Sequence, residues 1–129
     1  MTFPKNHKKI NFQLLNVDIY AFRDRKPFSK ACKYVGIDEI DLNDTFGRTR
    51  ILLDENGNRM IYVGVFNEDP GVAVHEITHA ALFMLSEFGI DPASSNGEVC
   101  CYTTQFLFNE LIEYFTKMEL FYGEDEAEK

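Results

Sequence analysis

The chain has 129 residues, of which 45% are hydrophobic and 14% aromatic, enough for one packed core and too few for two, so a single domain over residues 1–129 is expected. The net charge of −8 argues against sequence-independent binding to nucleic acid, which needs clustered Lys and Arg; the one basic cluster noted, Lys5 to Lys9, reads as a flexible, solvated arm over residues 1–9. No run approaches the roughly 20 apolar residues that span a bilayer, and residues 1–11 lack the apolar stretch of a secretory leader, so no membrane partner and a cytoplasmic location are expected.

In chain order, residues 11–22 end in a β-rich run. Pro27 to Val35 has Pro near its start, helical spacing and Gly36 just past its end, which predicts a strand followed by a short helix. Arg48 to Leu53 and Arg59 to Phe66 are β-rich and flank Asp54-Glu55-Asn56-Gly57-Asn58; Asn-Gly between such runs favours a hairpin, because both residues tolerate positive φ. Asp69-Pro70 reads as N-cap and first helical position of a long apolar helix from Gly71 to Phe88, ended by Gly89. After a loop over 90–96, a second long helix is predicted from about Gly97 to Leu120, with 123–129 as a flexible acidic tail. This order implies an α+β fold: a small, mainly antiparallel sheet packed against two long helices, plus a short N-terminal helix. Cys32, Cys100 and Cys101 form an odd set without CxxC spacing and are read as buried free thiols.

The first long helix carries His75-Glu76-Ile77-Thr78-His79. Residues four apart share one helix face, so two neutral imidazoles can aim at one Zn2+, with Glu76 beside them as general base for a metal-activated water. A bare HExxH also arises by chance, so context matters. On a helical wheel His75, Glu76, His79, Phe83 and Ser86 lie on one side, and Val74, Ile77, Ala81, Met84, Leu85 and Phe88 on the other. A helix apolar nearly all round is expected to be buried, and His75, Glu76 and His79 inside it need partners, which zinc would supply. The competing reading leaves the histidines hydrogen-bonded in a core or groove and Glu76 facing water.

A third ligand is sought in Glu98, 19 residues after His79 at the start of the next helix. Glu98, Tyr102, Gln105 and Asn109 form one polar stripe there, opposite Cys100, Leu107, Leu111 and Phe115. The same residues allow other readings: Ser95-Asn96-Gly97-Glu98 fits a capping box, the stripe could be a solvent face, and Asp91 or Glu87 could ligate instead. His7 would serve only if the N-terminal arm folded over the site. Tyr102, one turn after Glu98, is a candidate for stabilising an oxyanion or supporting a ligand.

With HEITH on one helix and a glutamate opening the next, residues 72–115 resemble the zincin metallopeptidases of the gluzincin branch, and the small HExxH proteins common in phage and prophage genomes. The metzincin extension does not fit, since Leu82 and Leu85 stand where it has Gly and His. The resemblance implies His75, His79 and Glu98 as zinc ligands, Glu76 as catalytic base, and a peptide or protein substrate that adds as an extended strand to a sheet edge, for which Met60 to Phe66 is the candidate; an alternative that stays equally open is that this strand is paired on both sides in the core. Cys101, Tyr102 and Thr103 stand where larger gluzincins carry an acidic residue supporting a ligand histidine. The expectation is therefore a minimal zinc metallopeptidase. The alternative is a non-catalytic zincin fold of phage type that modulates a host or binds a partner, with structural metal or none. A nucleic-acid-binding module is disfavoured by the acidity and by the lack of a basic face. The oligomeric state is not legible in the sequence.

Overall fold

A computed structural model describes residues 2–38 and 42–121. The elements are β1 (Lys8–Phe12), β2 (Val17–Phe22), α1 (Arg25–Tyr34), a 3-10 turn (Leu42–Asp44), β3 (Gly47–Leu53), β4 (Arg59–Val65), α2 (Pro70–Glu87), a second 3-10 turn (Ser94–Gly97) and α3 (Glu98–Phe115). The fold is α+β, as expected. The sheet is mixed, in the order β1-β2-β4-β3: β1/β2 and β3/β4 are antiparallel, while β2/β4 is parallel, the chain passing through α1 to the outer strand β3 and returning through the hairpin as β4.

Strand alternation sorts side chains to two faces. Val17, Ile19, Ala21, Ile61, Val63 and Val65 pack with α2 and α3, whereas Phe22, Met60 and Tyr62 pack with α1. The result is three layers, with α1 on one side of the sheet and the pair α2/α3 on the other.

The β3–β4 hairpin forms where predicted, but its turn is held differently. The Asp54 carboxylate accepts from Asn56 N and Asn58 N, both at 2.8 Å, and Gly57 alone takes positive φ, at 82°. Asp69 caps α2 as expected, its Oδ1 accepting from Gly71 N at 2.7 Å.

Three expectations are corrected. Lys8 and Lys9, assigned to a flexible arm, open β1, an edge strand on which charged side chains face solvent without cost. The last helix stops at Phe115, not Leu120: Thr116 turns extended (φ −131°, ψ −175°) and its hydroxyl donates to Ile112 O at 2.7 Å. The strand Met60 to Phe66 offers no edge, because β4 is paired on both sides, and β3 is the outer strand instead. None of the three cysteines is in a disulfide among the described residues, and only Cys32 is fully buried; Cys100 is half-buried and Cys101 exposed. The acidic tail lies outside the described residues. Among those described, no helix is long and apolar enough to cross a membrane.

Candidate metal centre and catalytic cleft

The Asp69 cap and Pro70 fix where α2 starts, and so which residues of its second turn meet the sheet. The buried arc of α2 comprises Ala73, Glu76, Ile77, Ala80, Ala81, Met84 and Leu85. Three alanines on that arc let the helix lie close to the strands. His75 and His79 fall on its flank and are exposed, while Glu76 is only 7% exposed. The expectation that all three are buried therefore fails for the two histidines, while Glu76 does leave water.

Glu76 is accommodated by two features of β3. Thr49 Oγ1 donates to Glu76 Oε1 at 2.6 Å, with Glu76 O also within reach at 3.2 Å. Gly47, two residues earlier on the same strand face, leaves space for the rest of the side chain: a Cβ there would stand 2.7 Å from Glu76 Cγ and 2.8 Å from Oε2. Among the described residues Oε2 accepts no hydrogen bond. It is thus an unpartnered oxygen of a buried carboxylate, and such an atom demands a polar partner such as water or substrate.

Beside it is an open cleft of about 410 Å3 lined by Phe46, Gly47, Asp69, Gly71, Val72, His75 and Glu76. Phe46, Gly47 and Thr49 were not singled out from the sequence. The available signal was the alternation of Gly47, Thr49 and Ile51, which places a small and a hydroxyl residue on the hairpin face that is otherwise made of Ile51, Ile61, Val63 and Val65.

The rings of His75 and His79 stand 4.7 Å apart at 80° to each other. Two imidazoles bound to one zinc at Zn–N of about 2.1 Å have ring centres about 5 Å apart, so this pair fits a shared ion. His79 also packs against Phe83, at 5.6 Å between ring centres.

Glu98 is not brought beside them. Among the described residues no three His, Cys, Asp or Glu side chains stand together at metal-holding distances. The helix hairpin supplies the reason. His79 precedes the end of α2 by eight residues, about 12 Å along the axis at 1.5 Å per residue, whereas Glu98 is the first residue of α3. The capping box does not form either: Gly97 is the N-cap, in the left-handed region at φ 78°, and no side chain caps the helix. Glu98, Tyr102, Gln105 and Asn109 are all exposed. Tyr102, Gln105 and Asn109 line a shallow groove with Phe106, so Tyr102 does not border the cleft at Glu76. His7 lies on the α1 side of the sheet, its ring against Phe3, Tyr20 and Phe22, which removes it as a ligand.

Comparison with protein-family models, curated proteins and solved structures gives no match.

Proposed function

We propose that this protein is a zinc-dependent metallopeptidase in which His75 and His79 hold the metal and Glu76 is the general base. The observation that carries this reading is Glu76 Oε2, a buried carboxylate oxygen without a partner among the described residues, at the wall of a cleft also lined by His75, whose ring stands 4.7 Å from that of His79. Zinc, when bound, supplies a Lewis acid and lowers the pKa of a coordinated water. Thr49 fixes the carboxylate through Oε1, which leaves Oε2 to take a proton from water in the cleft and deliver it to the departing amine. β3 has no strand on its outer side among the described residues, so an extended peptide can pair with it and run past Glu76. Glu98 stays the proposed third ligand, and reaching the histidines requires the segment 88–97 to repack.

Elemental analysis with activity measurements tests the proposal. We expect one zinc per chain, lost in His79→Ala and reduced in Glu98→Ala. Glu76→Gln keeps the metal and loses at least about a hundredfold in hydrolysis of a fluorogenic peptide mixture. Full activity in Glu76→Gln would sink the general-base assignment.

A second reading, a zincin fold that binds a partner without catalysis, draws on the separation of Glu98 from the histidine pair. It predicts no zinc after reconstitution and partner binding that ignores Glu76→Gln.

A further inference from the structure

The charge of this acidic protein is divided unevenly. Residues 1–34 hold eight of the 13 Lys and Arg but only two of the 21 Asp and Glu, for a net +6, which leaves −14 on the remainder. The fold concentrates part of that positive charge on α1. Its inner face, Pro27, Phe28, Ala31 and Cys32, is buried against the sheet, so Lys26, Lys30 and Lys33 project together from the outer face. A basic face therefore exists, contrary to the sequence reading, because helical spacing joins lysines that look scattered along the chain.

Two grooves flank this ridge. One, of about 450 Å3, is lined by Arg25, Lys26, Ser29, Lys30, Lys33, Leu42 and Asn43. The other, of about 570 Å3, includes Lys5, Asn6, Lys26 and Lys30. Lys5, Lys26, Lys30 and Lys33 are exposed, and none of them makes an ion pair among the described residues. Arg25 is occupied: its guanidinium donates to Leu42 O at 2.6 Å and to Thr45 O at 2.7 Å. That clamp ties the basic groove to the cleft at Glu76, since Asn43 lines one and Phe46 the other, three residues and at most about 10 Å apart.

We infer that the outer face of α1 docks a short acidic segment of a partner polypeptide. The ridge from Lys26 to Lys33 is roughly 10 Å long, the reach of a few residues. A nucleic-acid duplex or an anionic membrane extends far beyond it and is repelled by a chain whose residues 35–129 sum to −14, whereas a short run of Asp and Glu needs to meet the lysines alone. If the neighbouring cleft is the hydrolytic site, the face selects substrates that carry an acidic run beside the scissile stretch. That role rests on the metallopeptidase reading; the docking does not.

Fluorescence anisotropy of a labelled oligo-glutamate peptide tests it, with labelled oligothymidylate and phosphatidylserine vesicles as competing probes. The peptide is expected to bind the full chain, to weaken as salt is raised, and to lose at least about tenfold in affinity in the exposed double variant Lys26→Glu/Lys30→Glu. Lys26→Ala/Lys30→Ala, checked for native circular dichroism, is expected to lose less, and His75→Ala nothing. No cleavage is read, so failure of the peptidase proposal leaves this result standing. Undetectable peptide binding, equal binding by the charge-reversal variant, or tighter retention of oligothymidylate or vesicles overturns the inference.

Discussion

The side of the sheet under α1 is filled with rings, and the side under α2 and α3 with aliphatic side chains and alanines. On the first, Phe22, Phe28 and Tyr62 meet edge to face, with ring centres 5.5 to 6.2 Å apart, and Phe3 closes over them from the N-terminal segment. On the second, Ala73, Ala80 and Ala81 bring α2 down close to the strands, and Gly47 opens the one gap that Glu76 enters. Large rings fill their layer and hold α1 as a platform for charge outside it. Small residues give up buried area and gain an approach close enough to seat a carboxylate against a strand.

The largest effect that separates the two sides should come from Phe28→Ala, which empties a fully buried ring site and is expected to cost about 3–5 kcal/mol in urea unfolding. Under conditions that keep the variant folded, the zinc content proposed for the parent should be unchanged, because none of the residues lining the cleft at Glu76 belongs to the cluster under α1. Loss of metal with the ring would mean that the layers are not independent.

Much of this division can be read in the residues. The hairpin, the Asp69-Pro70 helix start and the pairing of His75 with His79 follow from short-range rules of turn chemistry, capping and helical spacing. The exposure of the two histidines does not, because it depends on which arc of α2 meets the sheet, and a helix apolar nearly all round gives no strong direction of its own. The distance of Glu98 from the histidines was hidden for a similar reason: 19 residues of separation fix the chain length between two side chains but not how far each helix extends past the loop. β1 was missed because Lys8 and Lys9 read as solvated charge, although an edge strand accommodates exactly such residues on its solvent side.

Gly47→Ala gives the next effect. Its Cβ would lie 2.7 Å from Glu76 Cγ and 2.9 Å from Val72 Cγ1, so the carboxylate or the helix must move, at a cost of about 1–3 kcal/mol. In the proposed enzyme it should also abolish hydrolysis. Gly64 is the matched comparison on the other side, where an added Cβ meets the half-buried Phe66 ring at 2.5 Å and the fully buried Phe28 ring at 3.0 Å. Phe66 can swing outward but Phe28 cannot, so Gly64→Ala should cost about as much as Gly47→Ala while leaving the proposed hydrolysis in place. Loss of hydrolysis in both variants would show that the effect of Gly47→Ala is not local to Glu76.

The smallest expected effect lies within the ring layer and is a matter of pH. The Tyr62 hydroxyl is buried and donates to Ala31 O at 3.1 Å, and burial, with Cys32, Tyr20 and Tyr34 nearby, pushes its pKa well above the ordinary tyrosine value. In the unfolded chain the same hydroxyl ionises near pH 10, at about the ordinary value. Below that pH it is neutral in both states and contributes its hydrogen bond. Above it, the unfolded chain releases a proton that the folded chain retains, so stability falls as pH rises. Tyr62→Phe should therefore cost about 0.5–1.5 kcal/mol at neutral pH, and the gap from the parent should narrow in alkali, where phenylalanine has no proton to lose. Tyr114, also raised by burial, titrates in both proteins and cancels in the difference. Urea melts of the pair from neutral pH into the alkaline range measure that gap directly; a gap that stays constant through the tyrosine range would mean that water reaches the Tyr62 hydroxyl and that the ring layer is looser than its packing implies.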